Sequence, residues 1–555
     1  MFGLCYDSYK DVRNQRMSEN KRLAIFFFVT MATLMFFDRF FYSQDDNSQS
    51  RYVPATVHRE LEQKNDNDVS DDTQCHHIAL MSESYDGEII TRGLSINSLC
   101  LKKYVASLNS QEYVRLFGSD LQTLSFGFEA CENISTPTTK SVWNLCDVDQ
   151  DSTSLMKAHI NRDGIDYYAD VSVDDGYVLS YKYRICNNSD KTVHLQAVSD
   201  LKRLKIDQDM DGLVHAGGVA YLNGKLHEIK YSDMCAIEKQ KGFFGKSNGW
   251  CALTNKYWMS ACMPKYSFSS DFFADANAVH MRTRSSEIAL EPGQSTELVM
   301  HVFAGPKQIR MLDSYEKTLG VDHLDLAIDF GWFYFITKPL LYLLVLMSEY
   351  INNMGIVIVL MTLLIRGLML PAQISSYRST RKMKELQPKL QAINERYKHD
   401  KVRASQETMA LYKKEGVKPL RGVFVTFLQI IPLLALYRVI GICISMRHAS
   451  ILWIKDIAAP DTTSIFNLFG LLPFECPSFL MIGVIPCLMG LATYIQQKVD
   501  PNMQMEPRMA WMMIALNVFM PVLFKLPAVL LIYLFIGNLV SLGQAIAYNI
   551  LARRR

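Results

Sequence analysis

The chain has 555 residues, 49% of them hydrophobic, with 58 Lys and Arg set against 56 Asp and Glu. That length allows two or three domains, and a net charge of +2 gives neither the basic field of a nucleic-acid-coating protein nor an acidic tail. The information lies in distribution: apolar runs crowd the two ends and a polar, strand-like region fills the middle, the pattern of a membrane protein with one large soluble insertion.

Residues 1–22 carry Lys10, Arg13, Arg16, Lys21 and Arg22 ahead of the apolar stretch 23–37. Positive charge before a first span predicts a cytoplasmic N-terminal tail and an anchor over residues 23–42. Asp38 and Arg39 follow without a small-residue cleavage site, so an uncleaved anchor is favoured over a cleaved signal peptide. Residues 43–75, rich in Asp, Asn, Ser and Gln, read as a flexible linker. Residues 76–330 then alternate apolar and polar, as at 177–185, 193–198 and 297–303, with turn signals at Asp163-Gly164, Asp175-Gly176 and Asn223-Gly224. They predict an exported all-β sandwich domain with a C-terminal helix near 307–320. No nucleophile elbow, phosphate loop or paired-acid motif is present, so neither an enzymatic site nor a cofactor is expected. The twelve cysteines show no disulfide framework, and Cys75-His76-His77 lacks a second ligand pair at zinc spacing.

Residues 331–353 are apolar but interrupted by Lys338 and Pro339. A span here would reverse everything downstream, so an amphipathic helix at the outer interface is expected. Residues 354–373 cross inward as a second span with Arg366 inside it. At 1.5 Å per residue Arg366 lies roughly 16 Å past Gly355, near the middle of a hydrocarbon layer about 30 Å thick. Facing lipid there costs at least about 2.5–3.5 kcal/mol, so the side chain must meet protein, water or an acidic group. The other spans offer no mid-depth Asp or Glu. Thr362, one turn earlier, extends a polar stripe. The stripe reads as the lining of a wet groove reached from the cytoplasm; the competing reading is a purely structural arginine.

Basic residues far outnumber acids between Arg378 and Arg421, which places residues 374–420 in the cytoplasm. Met383, Leu386, Leu390, Ile393 and Tyr397 recur at steps of three and four, predicting one helix with an apolar seam. A turn at His399-Asp400 and a second helix to about Glu415, stopped by Gly416, complete a hairpin. Its cations Arg381, Lys382, Lys384, Lys389, Arg396 and Lys398 suit anionic lipids, ribosomal RNA or a partner protein, or serve only to fix topology. Residues 421–445 cross outward with Gln429 at a depth close to that of Arg366, and Arg438 near the outer end. Residues 446–475 make an outer loop with Trp453 as an interfacial anchor, 476–497 return inward, and 498–508 form a short inner loop. Residues 509–525 and 527–550 are the fifth and sixth spans, and 551–555 end inside. Six spans with both termini cytoplasmic satisfy the charge rule. In the last span Tyr533, Gly537, Ser541 and Gln544 share one side and are candidates for the same groove.

An ordered set of residues threads through the chain. It comprises Gly249-Trp250, Asn255-Lys-Tyr-Trp258, Pro264 and Phe303-Ala-Gly-Pro-Lys307 in the β region, then Asp329-Phe-Gly-Trp332 and Arg366-Gly367 with Pro371. Leu386-Gln-Pro-Lys-Leu390, Gln406, Ala410-Leu-Tyr-Lys413, Gln429 with Pro432, Ala435-Leu-Tyr437 and Leu452-Trp-Ile-Lys-Asp456 follow, and Pro527, Tyr533 and Asn538-Leu539 close it. As a set, from about 245 to 550, these resemble the YidC-type membrane protein insertases in their long Gram-negative form; residues 43–240 match in type and placement only. The resemblance implies an α-helical polytopic inner-membrane protein, with a five-helix core and a large all-β periplasmic sandwich. It also implies a hydrophilic groove holding Arg366 and Thr362. Nascent membrane proteins would be the clients, with the Sec translocon, the ribosome and a targeting receptor as partners and no sequence-specific nucleic acid. Members often carry a second tyrosine after the one matching Tyr533, where this chain has Leu534. The sequence stops at Arg555, so the basic hairpin would carry more of any ribosome contact. Two other readings stay open: a small-anion transporter using Arg366, which predicts internal repeats and broken helices that are not evident, and a membrane-anchored scaffold acting through its β domain.

Overall fold

The computed structural model describes residues 75–553 apart from 108–110, 131–133, 149–153, 205–213, 237–240, 246–247, 276, 418–419, 462, 467–481, 500–506 and 524–525. The expected tail and anchor over 1–42, almost all of the 43–75 linker and most of the 498–508 loop lie outside the described residues, as do parts of the 446–475 loop and the start of the 476–497 span. Among the described residues, those up to Asp329 form one compact unit and those from Phe330 onward form another.

In the first unit the alternation works as a strand pattern should. Along Val178–Asn187 the side chains of Tyr181, Tyr183 and Ile185 are buried while Lys182 and Arg184 face outward. All pairings are antiparallel, and the described strands fall into a ten-stranded and a nine-stranded sheet. The first runs His77–Met81, Tyr85–Ile90, Ser95–Val105, Gln122–Ala130, Val193–Arg203, Val279–Ser285, Phe268–Ala274, Lys241–Gly245, with Tyr113–Phe117 and Ile288–Leu290 attached at its side. The second runs Lys225–Lys230, Gly217–Leu222, Trp250–Thr254, Trp258–Pro264, Ser295–Pro306, Val178–Asn187, Ile165–Val173, Ser154–Arg162, Asn144–Asp147. The turns Asp163-Gly164 and Asn223-Gly224 hold both residues at positive φ (49° and 79°, 53° and 75°), as two-residue hairpin connections require.

The two sheets meet through aromatic rings. Phe126 lies 4.2 Å from Tyr181 between centroids, Phe128 5.0 Å from Tyr167, and Tyr85 5.6 Å from Tyr177. Tyr85 Oη donates to the Ala304 carbonyl across the sandwich at 2.7 Å. Each such ring contributes about 1.5–3 kcal/mol on burial, and the row of them is what makes two sheets one core. A short helix α1 (Tyr231–Ala236) interrupts the strands, and α2 (Ile309–Leu319) follows the last one. Tyr315 ties α2 to the sandwich, donating to Asp174 Oδ2 at 2.6 Å, and Gly320 ends the helix in the left-handed conformation.

The second unit is helical: α3 (Tyr334–Tyr350), α4 (Met354–Glu385), α5 (Gln387–Arg396), α6 (Lys401–Lys414), α7 (Leu420–Ile442), α8 (Val484–Val499), α9 (Pro507–Leu523) and α10 (Ala528–Arg553). The Asn353 side chain caps α4 by accepting from the Ile356 amide at 3.2 Å. Val357, Ile358, Met361, Thr362 and Ile365 form its buried face, while Leu360, Leu363, Leu364 and Leu368 stay exposed. A helix apolar on both faces needs lipid on the side that protein leaves uncovered. Met354–Glu385 and Ala528–Ala547 are long and apolar enough to cross a membrane, and Phe427–Ile442 and Pro507–Leu523 are shorter apolar helices.

Two features differ from the hydropathy pattern. Helix α4 does not end at Gln373 but runs on for 32 residues in all, so Arg381, Lys382 and Lys384 ride on its last turns rather than on the hairpin. At 1.5 Å per residue it is about 48 Å long, more than a hydrocarbon layer needs. The seam from Met383 to Tyr397 is also split, because the helix breaks at Leu386 and restarts at Gln387 with Pro388 in the first turn of α5. Proline lacks the N–H that a helix interior requires and is accommodated at a helix start. Helices α5 and α6 do pair, joined by Lys389 Nζ to Glu415 Oε1 at 3.0 Å. Asp400 caps α6 through the Arg403 amide, and Gly416 at φ 65° follows its end.

Candidate groove around Arg366

Helices α4 and α10 pack side by side, and the start of each lies against the same loop, residues 451–459. Gly355, near the start of α4, lies against the Ile451 side chain. The first amides of α10, those of Ala528 and Val529, donate to the carbonyls of Ala459 (2.8 Å) and Ile457 (3.0 Å). The two helices therefore run parallel, away from that loop.

The Arg366 side chain reaches across to Tyr533 and Gly537 on α10. The guanidinium carbon lies 5.7 Å from the Tyr533 ring centroid, a cation–π contact. A Cβ added to Gly537 would come within 2.8 Å of that same carbon. Gly537 is thus the floor on which the guanidinium rests. Arg366 Nε is buried without a hydrogen-bond partner, and no carboxylate pairs with Arg366 among the described residues. The cation is held by an aromatic face and a backbone, with donors left over.

The other sequence candidates separate into two kinds. Thr362 is fully buried and its hydroxyl donates to the Ile358 carbonyl of its own helix at 2.7 Å; Ser541 does the same to Gly537 at 2.8 Å. Both hydroxyls give their proton to their own helices, which leaves each only acceptor capacity toward a neighbour. Gln544, two turns past Gly537, is half-buried, with its Nε2 enclosed and unpartnered. Gln429 is half-buried on α7, which packs on α4, and its side chain makes no hydrogen bond to Arg366. Gly537, the fourth candidate of the last span, is the one that meets the guanidinium, and the structure adds Gln373, which is 5% exposed with neither amide atom partnered.

Of the cations expected to dock partners, Lys382, Lys389, Arg396 and Lys398 are exposed and Lys384 is half-buried. Arg381 pairs with Glu385 at 3.3 Å and Lys389 with Glu415, surface ion pairs worth about 0–1 kcal/mol. Among the described residues no group of three or more His, Cys, Asp or Glu is placed to hold a metal.

Comparison with known proteins bears on both units. The family model described as the 60Kd inner membrane protein matches residues 346–554, and that of the YidC periplasmic domain matches residues 77–343. The chain is 36% identical over 505 residues to the membrane protein insertase YidC of Rickettsia rickettsii (strain Iowa), covering 87% of this chain and 88% of that one. It is 36% identical over 501 residues, with the same coverage, to the protein of that name from Rickettsia prowazekii (strain Madrid E). Among solved structures, the crystal structure of an active YidC insertase with its first transmembrane domain resolved aligns with 84% of this chain and 91% of that one, at 16% identity and a TM-score of 0.35.

Proposed function

The chain belongs to the YidC family of membrane protein insertases, inner-membrane proteins with a β-sandwich periplasmic domain and a helical core, and on that premise we propose that Arg366 is the working centre of its insertion groove. A nascent hydrophobic segment enters from the cytoplasm with a short polar flank, and Arg366 attracts acidic residues of that flank. Water in the groove lowers the cost of carrying the flank part-way across, and the hydrophobic segment slides sideways into lipid. Burial of about 20 apolar residues supplies the driving force. The membrane potential adds about 2.3 kcal/mol per acidic charge per 100 mV.

The observation that carries this reading is a cation within the apolar helical unit, seated on Tyr533 and Gly537 and with no carboxylate partner among the described residues. A buried structural arginine would be paired. A small-anion transporter would be expected to bind at broken helices, whereas α4 and α10 run unbroken past Arg366. The full layout proposed is six spans, at 23–42, within α4, and at 421–445, 476–497, 509–525 and 527–550, with both termini cytoplasmic and α3 at the outer interface. The basic hairpin would face anionic lipids, the ribosome, a targeting receptor and the Sec translocon.

The test is a photocrosslinker at position 366 facing a stalled nascent chain, together with Arg366→Ala. Crosslinks to the flank are expected, and the alanine variant should fold yet insert acidic-flanked clients poorly. Wild-type levels of insertion across a panel of such clients would refute the role given to Arg366.

A further inference from the structure

Gln373 and Gln544 each stand seven residues past a member of the Arg366 contact, Gln373 past Arg366 on α4 and Gln544 past Gly537 on α10. Seven residues are about two turns, or roughly 10 Å along a helix, so each glutamine keeps the face of its partner. Because the helices run parallel, the two amides fall within about one helical turn of each other in level, displaced from Arg366 toward the hairpin end of α4. Gln373 is 5% exposed with both Oε1 and Nε2 unpartnered, and Gln544 Nε2 is likewise enclosed without a partner.

Buried polar atoms are normally bonded, and one left open costs its full desolvation penalty. Two glutamines left open within about a turn of each other, each on the helix face of a member of the Arg366 contact, mark a place where bonds form with something that arrives. An extended peptide offers one N–H and one C=O at every residue whatever its side chains. A carboxamide matches both with its NH2 and its oxygen, whereas a guanidinium only donates. We propose that Gln373 and Gln544 form a charge-indifferent docking step that binds the backbone of a client's polar flank before that flank reaches Arg366. This step rests on the groove reading of Arg366, and it gives the groove two successive tests of its client: polar backbone first, charge second.

The experiment uses the full chain in inner-membrane vesicles and three clients sharing one hydrophobic segment, with a long acidic flank, a long neutral Ser/Asn flank, or a flank of one or two residues. Gln373→Met and Gln544→Met keep side-chain bulk and helix propensity while removing the amide. Each is expected to lower insertion of both long-flanked clients about fivefold, the loss of one net hydrogen bond, and to spare the short-flanked client. Arg366→Ala should affect the acidic flank alone. An equal loss across all three clients would mean structural damage and overturn the docking step, as would no loss in any. If the wild-type chain inserts none of them, the groove reading fails and takes this pair with it; a charge-dependent Arg366→Ala defect beside a silent Gln373→Met would leave the groove reading standing without it.

Discussion

Arg366 could be found from sequence because a charge inside an apolar run has few bland explanations. Tyr533 could be found because helical spacing carried it to a polar face. Thr362 and Ser541 were not separable in the same way, since a hydroxyl bonded to the carbonyl four residues back leaves the same letter in the sequence as one facing water. Spacing put Gly537 on the same face, but not what it does there: its contribution is the absence of a Cβ under the guanidinium. Alanine at a helix-interior glycine is usually worth up to about 1 kcal/mol of stability. Gly537→Ala should instead displace the Arg366 guanidinium and cut insertion of acidic-flanked clients several-fold, while Gly543→Ala, with open space around it, should leave insertion unchanged. Insertion assays on these two variants beside Arg366→Ala decide it, and full activity in Gly537→Ala would show that the seat is not needed.

At the scale of elements, the hairpin turns were legible because only a few residue pairs tolerate two successive positive φ angles. The break at Leu386 was not, because the apolar repeat runs across it and Pro388 is compatible with a helix start as well as a stop. Inside the sandwich two histidines carry opposite signs that no pattern announces. Burial works against the charged form of His280, but its bonds to Asp200 (3.1 Å) and Asp275 (2.9 Å) outweigh burial and raise its pKa above the ordinary histidine value. Burial, with Lys265 and Lys182 nearby, depresses His301 to about 4. His280 therefore stabilises the fold fully below its unfolded pKa of about 6.5 and loses that contribution as pH rises through its raised folded value. For His301 the unfolded chain binds the extra proton between about pH 6.5 and 4, so stability falls as pH drops through that window. Hydrogen exchange of the sandwich strands in the full chain should show the deficit of His280→Gln shrinking from pH 6 to pH 9. In His301→Gln the acid-side loss between pH 6.5 and 4 should be reduced. Parallel pH profiles for wild type and both variants would contradict the two assignments.

Across the whole molecule, the polarity of the middle of the sequence announced a soluble insertion, but nothing in it announced a task. The contacts described in the sandwich serve its own closure: rings between sheets, Tyr85 bonded to Ala304, Tyr315 bonded to Asp174. The contact of Arg366 draws instead on α4 and α10 alone, and the starts of those helices lie against a loop of their own unit. Such self-sufficiency separates an insertase from a scaffold that acts through its β domain. Removing residues 77–306, from the first described strand through the last, deletes the sandwich without cutting a strand or a groove helix. If the groove does the work, the shortened chain should still insert clients in vesicles at a substantial fraction of the full-length rate. Arg366→Ala within it should reproduce the same selectivity against acidic flanks, because that selectivity resides in the helical unit. Loss of all insertion from a shortened chain whose helical unit is still folded would move the activity into the sandwich. Retained insertion that no longer depends on Arg366 would move it elsewhere among the helices.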